Sequence, residues 1–386
     1  MTERELQFTP PAAHVARLRA LAIVGAAILA AGMYWAPQRA WANLLLAGYY
    51  FLGIALAGTL FVAFQYVTGA SWSVALRRIP EAFASLVPIG GAAILAVVLF
   101  RPSLYAWTAD ASLTGFRKLW LSLPFFRARA LLFLALWTLF SFLLLSASRR
   151  QDSDGDFRHT HSNARISGAF LVVFAITFWL ASYDWVMSLE PDWWSTIFGM
   201  YNFAGLFSSG LAAIAVVLVY LRERTSLRHI INEDHLRDLG KLVFAFSTFW
   251  MYLWFSQYML IWYANIPEET VYYVQRQHGL WAPLFLLNVV LNWVIPFFAL
   301  MPRVNKGKPG FLLRVSLVLL VGRWLDLYLM IAPPFAGTKP SLGLWELGGA
   351  ALLVGGFGLA AMAALRRRPL APTRDPFFVD SLHYHA

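Results

Sequence analysis

Apolar residues along this chain run in solid blocks of about 20 rather than alternating with polar ones, and short polar stretches separate the blocks. A helix needs roughly 20 mostly apolar residues to cross a hydrocarbon layer about 30 Å thick, because each residue adds about 1.5 Å. Ten blocks meet that length: 18–36, 43–67, 82–100, 128–147, 167–188, 197–221, 240–264, 280–301, 311–332 and 344–365. The pattern predicts an all-α polytopic membrane protein of ten transmembrane helices, a single integral membrane domain over 1–386. The third block is the weakest, since PIGG (Pro88 to Gly91) interrupts it.

Between the blocks no domain-sized insert appears. The longest connections are 101–127, 148–166 and 222–239. The first contains LWLSLPFF, too apolar for a solvated loop and suited to the membrane interface. The second, RRQDSDGDFRHTHSNAR, reads as a plain exposed linker. A faint internal echo links the fifth and ninth blocks, where an Asp precedes a Pro by seven residues (Asp184/Pro191 and Asp326/Pro333).

Composition sharpens the membrane reading. Hydrophobic residues make up 59% of the chain and charged ones 13%, with 31 Phe, 17 Trp and 15 Tyr, more apolar surface than a soluble domain can hide. A net charge of +11 would point to nucleic acid in a soluble protein. Here the basic residues sit in short loops, so no nucleic-acid partner is expected. Ten crossings put both termini on one side, and 22 of the 31 Lys and Arg fall there, Arg4 among them. Eight fall on the other side (Arg39, Arg101, Arg117, Lys118, Arg127, Arg129, Arg276 and Lys339), and Arg323 lies within a block. The bias places both termini in the cytoplasm, with the 101–127 segment dissenting. The polar, partly acidic N-terminus lacks the features of a signal peptide, so the first block is expected to stay in the mature protein.

The absence of cysteine excludes disulfides, thiolate-held iron–sulfur clusters and covalent c-type haem attachment. All eight histidines (His14, His159, His161, His229, His235, His278, His383 and His385) fall in predicted loops or tails. A b-type haem held by two histidines needs them within facing spans, so no redox cofactor and no metal is expected in this chain.

Ionisable residues inside a span are costly and mark a pair or a pathway. Arg323 and Asp326 stand three residues apart, on one face of the ninth helix, and fit either a packing ion pair or a proton path. Asn288 and Asn292 in the eighth span, and Ser247, Thr248, Ser256 and Gln257 in the seventh, fit a water wire or interhelical hydrogen bonds. Two helix ends on the non-cytoplasmic side are richer. SYDWVMSLEPDWWST gathers Asp184, Glu190 and Asp192 with Trp185, Trp193 and Trp194. WYANIPEETVYYVQRQH gathers Tyr263, Asn265, Glu268, Glu269, Gln275 and His278. The aromatics suit an interfacial belt. The carboxylates suit a proton exit or a docking surface, and Asp184, a turn inside its helix, sits where loss of water favours proton exchange.

SGAFLVVFAITFWLASYDWVMSLEPDWWSTIFGMYNFAG and FSTFWMYLWFSQYMLIWYANIPEETVYY, with LSLPFFRARA before the fourth span, resemble alternative complex III, a quinol:cytochrome c oxidoreductase. The similarity is to the second, ActF-type, of its two NrfD-like (polysulfide-reductase-type) membrane subunits. It covers about the middle third of the chain, and the ten-span layout agrees over the whole. The resemblance implies two four-helix bundles plus two helices in a bacterial inner membrane. It implies a sister NrfD-like subunit as neighbour, with periplasmic multihaem cytochrome c and iron–sulfur subunits. Haem c, the clusters and the quinol site then belong to those partners. The family commonly has His after SLEP, where this chain has Asp192.

The leading expectation is a subunit with no catalytic residue of its own, giving scaffold and a proton path through Asp184, Glu190, Ser247, Gln257, Arg323 and Asp326. Asp192, Trp193, Asn265, Glu268, Glu269 and His278 are expected to meet periplasmic partners. A purely structural subunit and a secondary transporter are the alternatives. The transporter fold uses interrupted helices at matching places in two halves, and Pro88 and Pro296 do not match in depth.

Overall fold

A computed structural model describes residues 6–385; Arg4 lies outside the described residues. All regular structure among them is helical. The first half runs α1 (Ala12–Trp35), α2 (Pro37–Thr68), α3 (Arg78–Ala84), α4 (Val87–Phe100), α5 (Gly115–Trp120), α6 (Leu123–Asp154) and α7 (Arg158–Trp185). The second runs α8 (Phe198–Arg224), α9 (Glu233–Ala264), α10 (Pro267–Gln277), α11 (Trp281–Val289), α12 (Ile295–Leu300), α13 (Arg303–Gly307), α14 (Pro309–Ile331), α15 (Pro333–Ala336), α16 (Leu344–Leu365) and α17 (Phe378–Leu382).

Eight segments are long and apolar enough to cross a membrane: α1, α2, α3 with α4, α6, α7, α8, α11 with α12, and α16. The chain is therefore a multi-pass helical membrane protein. Helices α9 (32 residues) and α14 (23 residues) are also long, but polar and charged side chains replace part of their aliphatic content. Those two helices build the site described below.

Helix α2 is the axle. Every residue of its most apolar stretch is buried, because α1, α3, α4, α6, α7, α8, α14 and α16 all pack on it. A helix apolar all round is stable only inside a bundle or in lipid. The faces left exposed elsewhere are apolar too, for example Ile23 on α1, Val172 on α7 and Leu286 on α11, as contact with lipid requires. Helices α1 and α16 form a tight pair beside α2. A Cβ added at Gly25 would meet the Leu352 amide at 2.4 Å, and one at Gly355 would meet the Ala22 amide at 2.4 Å. Small residues let backbones approach this closely, and dispersion then holds the pair where the hydrophobic effect offers nothing. Gly25→Leu is expected to separate α1 from α16. A cross-link engineered between Leu21 and Leu352, each replaced by cysteine, should form in the parent and be lost in the variant.

The two chain ends share one face, where the Leu370 amide donates to the Leu6 carbonyl at 2.9 Å. On this termini face the segment 148–166 is not the exposed linker expected. It continues α6 and α7, joined by a turn with Gly155 at φ +69°, and buries Gln151 and Asn163. The LWLSLPFF segment splits, its end forming the first turn of α6 and its start lying in α5 beside exposed Phe116 and Leu119. The third block breaks at Ser85–Leu86, before PIGG, and Pro88 starts α4, where no intrahelical N–H is missed.

The histidines are not all in loops. His14, His159, His161 and His235 occupy first helical turns, and His235 is fully buried. Its Nδ1 lies 2.6 Å from Asn232 Oδ1 and its Nε2 3.5 Å from Ser381 Oγ, with Asp234, Asp238 and Tyr384 around it. Burial lowers its pKa from the ordinary value. The unfolded chain therefore takes a proton near pH 6.5 while the folded one resists it. This contribution to stability is complete above that pH and is lost as pH falls below it. Acidification from pH 7.5 to 5.5 should therefore lower the stability. Melting curves should show it in the parent and not in His235→Gln.

Candidate functional site

The richest buried polar group lies where α8, α9, α11 and α14 meet. Asp326 on α14 is 1% exposed, and four donors converge on it. Trp250 Nε1 of α9 donates at 3.1 Å, Asn288 Nδ2 of α11 at 3.0 Å, and the Tyr201 hydroxyl of α8 and Arg323 Nη1 complete the set. Arg323 also reaches Asn202 Oδ1 at 3.3 Å, and that amide oxygen accepts from the Tyr49 hydroxyl at 3.4 Å. Gly205 of α8 makes room, since a Cβ there would meet the Arg323 guanidinium at 2.3 Å.

Local sequence explains the placement. Between α11 and α12, Val290–Val294 forms a π turn in which the Ile295 amide bonds the Val290 carbonyl. Pro296 has no N–H to continue an α ladder, so the extra residue is accommodated here. Asn288 and Asn292 both face inward as a result, Asn292 Nδ2 donating to Asn288 Oδ1 at 2.7 Å.

A second polar group sits toward the far face, opposite the termini. Arg276 of α10 is 1% exposed and donates to the carbonyls of Leu329 (2.7 Å) and Tyr272 (2.8 Å) and to Glu190 Oε1. Its guanidinium lies 3.4 Å over the Tyr272 ring, which stacks on Trp193 at 3.9 Å. Gln257 donates to the Tyr273 hydroxyl at 3.0 Å and accepts from Ser195 at 3.2 Å. The two helix ends singled out by sequence thus meet each other. A cavity of about 20 Å³, room for one water, lies between Asp326 and Asn288 on one side and Gln257, Tyr273 and Arg276 on the other. Tyr273 also lines a wider cavity of about 480 Å³ that opens at the far face between α9 and α10.

The remaining candidates divide. Asp184 does not share this group. Arg129 of α6 grips it through Nε at 2.7 Å and Nη2 at 2.9 Å, Trp120 Nε1 adds a bond at 3.1 Å, and the Trp120 ring covers the guanidinium at 4.0 Å. Ser247 Oγ donates to the Phe244 carbonyl of its own helix, at 2.9 Å. Trp193 is 5% exposed, a wedge inside the chain rather than the partner contact expected. Asp192 is open to solvent and pairs only with exposed Arg117 at 3.2 Å. Asn265 ends α9 at φ +49°, Glu268 and Glu269 start α10 at its positive dipole end, and His278 is exposed. Among the described residues no group of three or more His, Asp or Glu could hold a metal.

Sequence reading missed Tyr201, Trp250, Arg276 and Arg129. Arg129 and Arg276 were counted as loop charges, yet each is buried against a carboxylate, and Arg39 likewise pairs with Glu346 at 2.8 Å. Neutralisation of Arg129, Arg276 and Arg39 lowers the positive charge counted on the far side. On the termini face Arg77 and Arg78 are equally buried, with Glu81, Asp152 and Asp375 as partners.

The fold and site thus define a helical membrane protein with a charged, hydrogen-bonded interior between its helices. Comparison of the sequence with known protein families finds no match, and comparison with curated proteins finds none either.

Proposed function

We propose that this chain is a membrane subunit, without a redox centre of its own, of a quinol-oxidising complex of the alternative complex III type, and that it carries a proton path. We read α9 and α14 as spans beside the eight apolar segments, which gives ten. On this reading α2, α4, α6 and α7 make one four-helix bundle and α8, α9, α11–α12 and α14 a second, with α1 and α16 as the further pair; the contacts of α4 with α6, α6 with α7, α8 with α9 and α1 with α16 support it. The membrane is the bacterial inner membrane with both termini in the cytoplasm. A sister NrfD-like subunit lies alongside, and multihaem cytochrome c and iron–sulfur subunits on the periplasmic side supply haem c, clusters and the quinol site.

The observation that carries the proton path is the Asp326 group. A carboxylate buried among helices, in ion pair and hydrogen-bonded, marks a pathway or a structural pair. The cavity beside it and Tyr273 beyond connect it toward the far face. Glu190, Gln257, Arg323 and Asp326 are the path residues the geometry groups; Asp184 and Ser247 lie off it. The buried, doubly hydrogen-bonded Arg129–Asp184 pair favours the scaffold role as a second contribution. The transporter reading gains little, because the two interruptions differ in kind: Ser85–Leu86 ends a seven-residue helix, whereas Val290–Val294 is a π turn between continuous helical segments.

Gentle purification from the native membrane tests the reading. Haem-bearing and iron–sulfur chains should copurify, with c-type haem absorbance in the same fraction. A colourless chain purified alone would overturn it.

A further inference from the structure

On the termini face, the first group of helices encloses a second polar site that the proton path does not use. A cavity of about 40 Å³ is lined by Gln65 and Tyr66 of α2, Ser73, Arg77, Thr160 of α7 and Asp375. That is room for a water or two. Among the described residues Tyr66 Oη and Gln65 Oε1 have no protein partner in full hydrogen-bond geometry, and Arg77 Nε has only the Glu81 carboxylate at 3.4 Å. Beside Tyr66, and near enough to interact with its hydroxyl, stands Asn163, fully buried, with neither amide atom in full hydrogen-bond geometry. One turn further along α7, the buried hydroxyl of Ser167 is likewise unpartnered. Leaving a buried polar atom dry costs about 1–3 kcal/mol, and nearly all such atoms in folded proteins find protein or water. Donors and acceptors alternate here, so water satisfies both.

The chain itself covers this site. After α16 the C-terminal segment runs back under both groups of helices and is fastened along its length. Arg374 donates to the Ser153 carbonyl at 2.6 Å, and Asp375 pairs with Arg77 at 2.7 Å. Phe377 packs on Phe157 with ring centroids 5.5 Å apart. Ser381 accepts from the Ala75 amide at 3.0 Å and donates to the Trp72 carbonyl at 2.8 Å. Tyr384 accepts at its carbonyl from Asn232 at 2.8 Å, and its hydroxyl bonds Asp238. Asp375 and Phe377 are at once fastenings and cavity wall.

We propose that the first group of helices holds an internal water chamber lined by Gln65, Tyr66, Arg77, Thr160 and Asp375, with Asn163 beside Tyr66, and that residues 370–385 are its lid. The water is bound by orphaned side chains of α2 and α7. The lid's charge pair with Arg77 and its bonds to the start of α9 decide whether bulk water reaches it.

Two measurements on the full chain in nanodiscs test this. Hydroxyl radicals generated by X-ray pulses modify side chains next to bound water. Tyr66, 9% exposed, should be modified, while Tyr105, fully buried and bonded to the Trp185 carbonyl at 3.2 Å, should not. Tyr66 as silent as Tyr105 would overturn the chamber. For the lid, the absence of native cysteine allows Ser73→Cys to report alone. A charged methanethiosulfonate reagent should label it slowly in the parent lid and about tenfold faster or more when Asp375→Asn and Tyr384→Phe loosen the segment. Melting curves identify variants that remain folded. Fast labelling with the lid intact, or equal rates in folded parent and variant, would overturn it.

Discussion

Asp326→Asn, in a complex that still assembles, is expected to lower proton translocation by roughly 100-fold, the scale on which a positioned proton-transferring side chain acts. The substitution keeps size and shape. Its amide oxygen can still accept from Tyr201, Trp250 or Asn288, so the α8–α14 packing has most of its bonds. It cannot take up and release a proton. It also leaves the Arg323 guanidinium without its counter-charge, and Asn202 is then its remaining side-chain partner. Asp326→Glu should restore part of the activity, because it returns the titratable group at the cost of one extra methylene. Quinol-driven acidification in proteoliposomes, measured beside quinol oxidation itself, separates the readings. Full pumping by Asp326→Asn would end the proton role of this group, and loss of the assembled complex would assign it to scaffold.

Asp184→Asn should act differently, on stability. Arg129 is 5% exposed and holds Asp184 by two charge-assisted bonds, with Trp120 and Phe125 over its face. Breaking one partner of a buried pair leaves an uncompensated charge and costs about 3–5 kcal/mol. Arg129→Met combined with Asp184→Asn should recover most of that loss, since no buried charge then remains. Thermal unfolding of the single and double variants measures the coupling. A single variant as stable as the parent would remove Asp184 from the scaffold role.

The block pattern was enough to read a multi-pass helical protein, because runs of about 20 apolar residues suit spanning helices and not the short alternating strands of a barrel; eight of the ten blocks form helices apolar enough to cross by length and composition. Boundaries ran short on the termini face, where α6, α7 and α9 continue two or more turns past the apolar stretch. Polar residues such as Gln151, Asn163 and His235 look like loop residues until the partners that bury them are known. The Arg323–Asp326 pair was legible from its spacing on one helix. Asp184 with Arg129, and Glu190 with Arg276, were not, since 55 and 86 residues separate the partners. The meeting of the two far-face helix ends depends on how α9 and α10 fold back toward Pro191–Ser195. That is a property of tertiary packing, and local pattern does not carry it.

The axle position of α2 also bears on how the protein is made. Its Asn43 amide bonds Glu346 across 303 residues of chain, at 3.1 Å, and α16, which carries that glutamate, is synthesised long after α2. At 5–20 residues per second, α2 waits on the order of tens of seconds in the bilayer before its full set of neighbours exists. During that interval Asn43 and Thr59, both buried in the finished protein, face lipid or whatever holds the nascent chain. Biogenesis therefore calls for an insertase that shelters α2 until α16 arrives.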